Sequence, residues 1–464
     1  MYCVGKRSLF MQILIVGSGK VGYTVTGRLS SEGHDVTIID RRSDVLEKTQ
    51  NDYDVITVQG NGASMQTLKD AGAEHKDLII AVTNGDEANM IACMTARYLN
   101  PDIRCIARIR NPEYVEQAHI MADEMNLSLV INPERQAAHE ISSLIKLPGS
   151  LNRETFEKAR MELIEIRLDE NSRLVGRQMK YIESIVHVKV LICAVERNDK
   201  VIIPDGSFVM EAGDKLYLTG DLNNMQKMLY ELGYIQTEIK RVLIAGGGRI
   251  SYYLARELEH ARIASTIIEK DAARCEELSS LLPHQTIVCG DASSQSVLDS
   301  EEMDVYDALV SCTGLDELNI VISMYAAICH VPLTITKLGR GENLKVLNNL
   351  PIGPLVCPKD LCTDHIVRYV RAMNSSEGNA AESIHKIADG KAEVLEFTVK
   401  DTDKHIGEYF RNLPIRKNIL IATVTNGRHS TIAGGDSCYH IGDTVIIVAA
   451  VDDVINTLND IFEE

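Results

Sequence analysis

Ile13-Leu14-Ile15-Val16-Gly17-Ser18-Gly19-Lys20-Val21-Gly22 runs a short apolar segment directly into the pattern G-x-G-x-x-G. A buried strand, a tight glycine turn and a helix N-terminus, in that order, form the place where a parallel α/β sheet holds a pyrophosphate. The first glycine permits the turn, the second lets phosphate approach the backbone, and the third lets helix and strand pack. Asp40 closes the next apolar run, eighteen residues past Gly22. A carboxylate there accepts both ribose hydroxyls and repels a 2′-phosphate, favouring NAD over NADP, a preference that Arg41 and Arg42 weaken. The ribose is common to NAD, ATP and ADP, so Asp40 does not choose among them. The P-loop pattern G-x-x-x-x-G-K-[ST] is absent, which leaves NTP hydrolysis of that kind unsupported.

Working outward, the landmarks of this stretch return later in the chain. GSGKVGYTVTGR (Gly17 to Arg28) recurs as GGGRISYYLARE (Gly246 to Glu257), Asp40 as Glu269, Arg108 as Lys337 and Asp214 as Asp443, each 229 residues on. GNGAS from Gly60 and DLIIAVTNGDEAN from Asp77 recur as GDASS from Gly290 and DALVSCTGLDELN from Asp307, one residue further on. The chain is a duplication.

Within each copy, β-branched runs alternate with helical patterns. In the first, Ile13 to Val16, Asp35 to Ile39, Val55 to Val58, Leu78 to Thr83 and Ile103 to Ile109 predict parallel strands, and Val21, Val25 and Leu29 a helix stripe. The fold class is α/β: two tandem Rossmann-like parallel-sheet domains, each followed by a small α+β module. Expected boundaries are 11–132 for the first Rossmann-like domain, 133–158 for a connecting amphipathic helix region and 159–235 for the first small module. The second copy runs 239–357, then 358–384 for helix and linker, then 385–464. In the connecting helices, Ala137, Ala138, Ile141, Leu144 and Ile145 form one stripe, and Cys362, Ile366, Tyr369, Val370 and Met373 the other. Core packing and a dimer seam both explain such stripes. Pro148-Gly149 stops the first helix, and the polar linker Asn374 to Asn379 follows the second. The small modules show short strands, Met161 to Leu168 and Lys215 to Thr219 among them, with Gly-Asp turns.

Candidate ligand contacts gather at the carboxyl ends of the strands. Gly17, Ser18, Gly19, Lys20, Val21 and Gly22 form the first phosphate turn, and Gly246, Gly247, Gly248, Arg249 and Ile250 the second, where Ser251 replaces the helix-packing glycine. Asp40 and Glu269 are the ribose acids. Thr83-Asn84 and Thr313-Gly314 follow the fourth strand, where they can touch ribose or nicotinamide or simply bond locally before Asp86 and Asp316 start the next helix. Asn61 and Asp291 meet the adenine edge or serve as turn residues. Arg108 and Lys337 end the fifth strand, as phosphate partners or in surface salt bridges.

The whole-chain numbers set limits. At 464 residues there is length for about three or four domains, and 45% apolar residues suffice for ordinary cores. A formal charge of −18 repels polyanions and argues against nucleic acid as a partner. Eleven cysteines without a C-x-x-C pair fit a reducing compartment rather than a disulfide framework. No histidine pattern or acidic cluster reads as a metal site or catalytic group, and no stretch is apolar enough to span a membrane. The residues before Met11 read as a short extension.

GSGKVG, IID ending at Asp40, VQGNGAS, AVTNGDEAN and IARIRNPEY, set in this duplicated layout, closely resemble the TrkA family, built from paired RCK (KTN plus TrkA-C) domains. The resemblance spans Met11 to Glu464. It implies a cytoplasmic, peripheral regulator docked on a membrane-embedded Trk-type potassium transporter, self-associating as a dimer or tetramer ring through the helices after each sheet. NAD(H), and in relatives ATP or ADP, would occupy the grooves through Gly17 to Val21, Asp40, Thr83, Asn84 and Arg108, and through Gly246 to Ile250, Glu269, Asp291, Thr313 and Lys337. Ser251 and Lys337 depart from the first copy and imply a weaker second site. The alternative function is an NAD-dependent oxidoreductase with two fused cofactor-binding domains, for which neither small module supplies a recognisable acid or base.

Overall fold

The structure, a computed structural model, describes residues 10–111, 114, 127–147, 152–156, 161–234, 239–339, 350, 352–375, 383–388, 391–427, 429–450, 455 and 457–463. The expected extension before Met11 lies almost wholly outside these residues, as do the Pro148-Gly149 helix stop and most of the linker ending at Asn379.

The first lobe comprises β1 (Gln12–Val16), α1 (Lys20–Ser31), β2 (Asp35–Asp40), α2 (Ser43–Asp52), β3 (Ile56–Gln59), α3 (Met65–Asp70), β4 (Leu78–Ala81), α4 (Asp86–Leu99), β5 (Arg104–Arg108), β6 (Leu127–Ile131) and α5 (Pro133–Lys146). Its strands pair in parallel in the order β3-β2-β1-β4-β5-β6. Ile13, Leu14 and Ile15 are fully buried, as expected for a strand covered by helices on both faces, and Val21, Val25 and Leu29 of α1 supply part of that cover. β6 is an element the sequence analysis did not foresee. It is a short edge strand that acquires its form by pairing with β5.

The first small module holds β7 (Asn152–Phe156), β8 (Met161–Arg167), α6 (Ile182–Val186), β9 (Val190–Arg197), β10 (Lys200–Ile202), β11 (Lys215–Gly220) and α7 (Leu222–Glu231). Its sheet is antiparallel, in the order β10-β9-β11-β8-β7.

The second parallel sheet follows with β12 (Arg241–Ala245), α8 (Arg249–His260), β13 (Ala264–Glu269), α9 (Ala272–Leu281), β14 (Thr286–Cys289), α10 (Gln295–Ser300), β15 (Ala308–Ser311), α11 (Asp316–Ile328), β16 (Leu333–Lys337), β17 (Leu355–Val356) and α12 (Pro358–Ser375). Its order, β14-β13-β12-β15-β16-β17, repeats the first. The last sheet, β18 (Ser383–Ile387), β19 (Ala392–Thr398), β20 (Ile419–Asn426), β21 (His429–Ile432) and β22 (Thr444–Ala450), repeats the antiparallel one, with β18-β19-β22-β20-β21 matching it read from the other edge.

Like associates with like. The chain forms two compact units, one taking in both parallel sheets (through Ser142, with Ile239–Val367) and the other both antiparallel sheets (Ser143–Glu238 with Arg368–Glu464). In the first unit Gln136 of α5 hydrogen-bonds His365 of α12, its own counterpart 229 residues on. Arg28 lies 3.7 Å from Asp364 and His139 lies 3.4 Å from Glu257. The stripe residues Ala137, Ala138 and Ile141 are fully buried, as are Cys362 and Ile366. Packing within the chain accounts for these buried stripe residues, while Tyr369 and Met373 stay partly exposed. In the second unit one core draws on both sheets, with Phe156, Met161 and Tyr217 packed with Val394, Ala422 and Ile446.

Asp214, one of the repeated landmarks, is only 1% exposed and receives both Arg197 Nε and Nη2 at 2.7 Å while accepting the Glu211 N–H at 2.8 Å. A buried carboxylate stripped of its guanidinium is left uncompensated. Arg197→Ala is expected to destabilise the module by about 3–5 kcal/mol, and Arg197→Lys to recover only part because lysine lacks the two-pronged geometry. Thermal unfolding of the three proteins checks this, and equal midpoints would refute it.

Candidate functional site

The first groove lies where the strand order reverses, between β1 and β4. Gly17 follows β1 at φ +103°, a conformation that side chains rarely adopt, and a Cβ there would sit 3.0 Å from the Thr83 backbone nitrogen after β4. The loops after β1 and β4 are therefore in contact, and glycine at 17 is what lets them meet. Gly22 fulfils the packing role assigned to it, since a Cβ would fall 1.8 Å from the Gly17 carbonyl oxygen. At Gly19, by contrast, a Cβ would meet nothing within 4 Å. That is the open space a phosphate needs above a helix N-terminus. Lys20 is exposed beside it and Val21 is buried.

Asp40 reaches back to this turn. Its Oδ2 accepts the Ser18 N–H at 2.7 Å and its Oδ1 the Arg42 N–H at 2.9 Å. Each oxygen retains a lone pair for a further donor such as a ribose hydroxyl. Ser18, only 4% exposed, turns its hydroxyl inward to Thr49 Oγ1 at 2.9 Å.

The second groove repeats this with a coordinated change of side chains. Glu269 Oε2 accepts the Gly247 N–H at 2.7 Å, and Oε1 the Asp271 N–H at 2.9 Å. The longer acid occupies the room that the Ser18 side chain has in the first groove: a Cβ at Gly247 would lie 2.8 Å from Glu269 Cβ and 2.7 Å from Leu278 Cδ1. Ser18, Asp40 and Thr49 thus give way together to Gly247, Glu269 and Leu278. Gly246 keeps φ +103°, and Gly248, like Gly19, faces open space. Ser251 donates its hydroxyl to the Gly246 carbonyl, so the departure from glycine adds a hydrogen bond inside the turn. Arg249 is exposed, Ile250 is buried, and Arg274 Nε of α9 donates to the Gly247 carbonyl at 2.9 Å.

After β4 and β15 the threonines bond locally. Thr83 donates its N–H and its hydroxyl to Asn89 Oδ1 at 2.8 and 2.6 Å, and Thr313 does the same to Asn319 at 2.8 and 2.7 Å. Asn89 Nδ2 also donates to the Arg108 carbonyl at 2.8 Å, and Asn319 Nδ2 to the Lys337 carbonyl at 2.9 Å. These two fully buried asparagines tie the fourth strand's loop to the end of the fifth. Sequence reasoning missed them as positioning residues, although their repetition was visible as the last letter of each quoted run. Asp86 does more than begin a helix: it accepts the Arg110 and Asn111 N–H groups, both at 2.8 Å, and pairs with Arg110 Nε at 3.3 Å. Arg110, also missed, donates to the Asn84 carbonyl, while its own carbonyl accepts the Tyr253 hydroxyl of α8 at 3.2 Å. Asn84 and Gly314 are exposed.

Asn61 and Asp291 act as turn residues. Asn61 Oδ1 accepts the Ala63 N–H at 3.3 Å and Arg41 Nη2 at 2.9 Å, and Asp291 Oδ1 accepts the Ser293 N–H at 2.9 Å. Both remain exposed at the rim.

Arg108 is not on the surface, and that half of its expectation is corrected. Its side chain is 14% exposed, 4.0 Å from Glu134, and its buried Nε has no hydrogen-bond partner among the described residues. Burial, reinforced by Arg110, lowers its affinity for its proton. Lys337 is similarly enclosed, 3.7 Å from Asp316 and donating to the Thr313 carbonyl at 3.3 Å. Among the described residues no cluster of three or more His, Cys, Asp or Glu could hold a metal ion.

A family model of the TrkA-N domain matches residues 13–133 and again 242–358, and one of the TrkA-C domain matches residues 163–233. The chain belongs to the TrkA family. The Trk system potassium uptake protein TrkA of Vibrio alginolyticus is 29% identical, over 94% of this chain and 95% of its own length. A TrkA homolog of Archaeoglobus fulgidus is 30% identical over 96% and 98%. The solved GsuK channel bound to NAD superimposes with a TM-score of 0.62 at 16% identity, over 97% of this chain and 78% of its own, a likeness of fold. The TrkA-N matches begin at the strand that feeds each glycine turn and end where α5 and α12 start.

Gly22→Ala forces a methyl onto the Gly17 carbonyl and is expected to destabilise the first lobe by about 1–3 kcal/mol. Ser251→Ala, which keeps the Cβ and removes one hydrogen bond, is expected to cost about 1 kcal/mol. Denaturation midpoints of both variants test the contrast, and a harmless Gly22→Ala would overturn the packing argument.

Proposed function

We propose that this TrkA-family chain is a peripheral, cytoplasmic regulatory subunit of a Trk-type potassium uptake system, binding NAD(H), or ATP or ADP, in its Rossmann grooves. The bound nucleotide gates potassium transport through a membrane-embedded partner. The reading keeps the six domain boundaries drawn from the sequence and a self-associated dimer or tetramer ring.

The observation that carries it is the paired carboxylate. Asp40 and Glu269 each hold the glycine turn with one lone pair per oxygen and keep others for a ribose, beside a helix N-terminus whose second glycine opens onto empty space. The unpartnered Arg108 Nε at the end of β5 is a further donor suited to a nucleotide oxygen. Lys20 and Arg249, exposed beside the turns, add positive charge where the pyrophosphate would lie. No described helix is long and apolar enough to cross a membrane, and the reading assigns ion conduction to a membrane-embedded partner.

Gating needs a nucleotide that binds two arrangements with different affinity. Both grooves belong to one compact unit, and the Tyr253–Arg110–Asn84 contacts run from the glycine helix of the second to the loop after β4 of the first. In this reading those contacts are the path by which occupancy of one groove would bear on the other.

Calorimetric titration with NADH, NAD, NADPH, ATP and ADP tests the reading. Up to two sites per chain are expected, without turnover. Asp40→Ala should weaken the first by about tenfold or more, the worth of a hydrogen bond to a charged group, and exceed the effect of Glu269→Ala on the second. Gly19→Ala should leave stability within about 0.5 kcal/mol yet weaken binding, because its methyl occupies the phosphate space. Transporter flux that ignores the bound nucleotide after reconstitution would refute gating. Substrate-dependent NADH oxidation would favour the oxidoreductase.

A further inference from the structure

Two cysteines flank the acid of the second groove. Cys275 stands in the first turn of α9 and donates its thiol to the Glu269 carbonyl at 3.2 Å. Cys289 ends β14, where it is the direct ladder partner of Glu269. Both cysteines thus lie against Glu269, one from α9 and one from the neighbouring strand. Cys275 is 7% exposed, whereas Cys289 faces solvent. The corresponding positions of the first groove hold Leu46 and Gln59, so the pair is peculiar to the second.

We infer that Cys275 and Cys289 form a thiol–disulfide exchange site on the rim of the second groove, oxidised by low-molecular-weight disulfides. One thiol accessible to an oxidant with a second, buried one packed on the same acid is the arrangement of a redox-sensing pair, and such transient disulfides are the kind that occur in reducing compartments. The Cys289 thiolate attacks a disulfide RSSR, its sulfur bonding to one RS unit while the other leaves as RS⁻. Cys275 sulfur then attacks Cys289 sulfur and expels the second RS⁻. The two thiol protons end on the two leaving thiolates, so the dithiol and RSSR become one protein disulfide and two RSH, and RSSR takes two electrons. Burial, and the hydrogen bond to Cys289, push the Cys275 thiol up to about 11, consistent with attack by the solvent-facing sulfur and resolution by the buried one.

The bond has a route into the groove. Drawing the two sulfurs to a bond of about 2.05 Å moves the first turn of α9. Asp271 caps that turn by accepting the Arg274 N–H at 3.0 Å, and Arg274, next to Cys275, holds the Gly247 carbonyl. The disulfide also removes the thiol that Glu269 O accepts. This consequence rests on the reading of the groove as a nucleotide site, whereas the sulfur chemistry does not.

The test treats the intact chain with oxidised glutathione, blocks remaining thiols with iodoacetamide and maps unreduced peptides by mass spectrometry. A Cys275–Cys289 linked pair is expected, absent in Cys289→Ser, with Cys275→Ser leaving glutathione on Cys289. Cys93 and Cys105, both fully buried with the Cys105 thiol 3.8 Å from the Cys93 carbonyl, should stay unlinked and serve as the internal control. An unmodified Cys289, or a wild-type mixed disulfide that Cys275 never resolves, would overturn the site. Titrating the cross-linked protein with NADH should show the second site weakened about fivefold or more and the first unchanged. An unchanged second site would remove the regulatory consequence, and no binding even when reduced would count against the nucleotide reading alone.

Discussion

The hydrogen bond from a glycine-turn N–H to the carboxylate closing the neighbouring strand is the constraint on which each groove depends. It joins the end of β1 to the end of β2, and that of β12 to that of β13, at distances of 2.7 Å. With the turn held there, the second glycine faces open space and the helix N–H groups point to where a phosphate would lie. A charge-assisted bond of this kind is stronger than a neutral one, and it leaves the acid oriented rather than free to rotate.

The duplicated copies show how much variation that constraint tolerates. Lengthening aspartate to glutamate is accommodated because Gly247 removes a side chain and Leu278 replaces the polar partner of the lost hydroxyl. At the position of Gly22 the second copy holds Ser251, whose Cβ that turn admits and whose hydroxyl bonds the Gly246 carbonyl. Three positions changed around one hydrogen bond, and the bond kept its length. Packing and polar satisfaction are met jointly in each copy.

Duplication also decides what the amphipathic helices do. A stripe on a helix following an open sheet must be buried somewhere, and a second copy in the same chain offers a complementary face at high effective concentration. Gln136 meeting His365 marks this self-pairing, and the two glycine-turn lobes become one unit with contacts from Tyr253 to Arg110.

The repeat, the glycine turns, the acids and the parallel-sheet order were legible in the sequence, because each follows from local patterns: apolar runs of strand length, glycine at required spacings, a carboxylate at the strand end. So were Asn89 and Asn319, had the repetition of a buried amide been weighed. What only the tertiary structure decided were relations between distant segments. β6 and β17 exist as strands because β5 and β16 offer them an edge. Arg108 is buried because α5 brings Glu134 to it, and Cys275 meets Cys289 because a helix and the strand after it converge on one acid. Sequence periodicity records which face of an element is apolar, but the partner of that face, and the water excluded when they meet, are set by the folded chain alone.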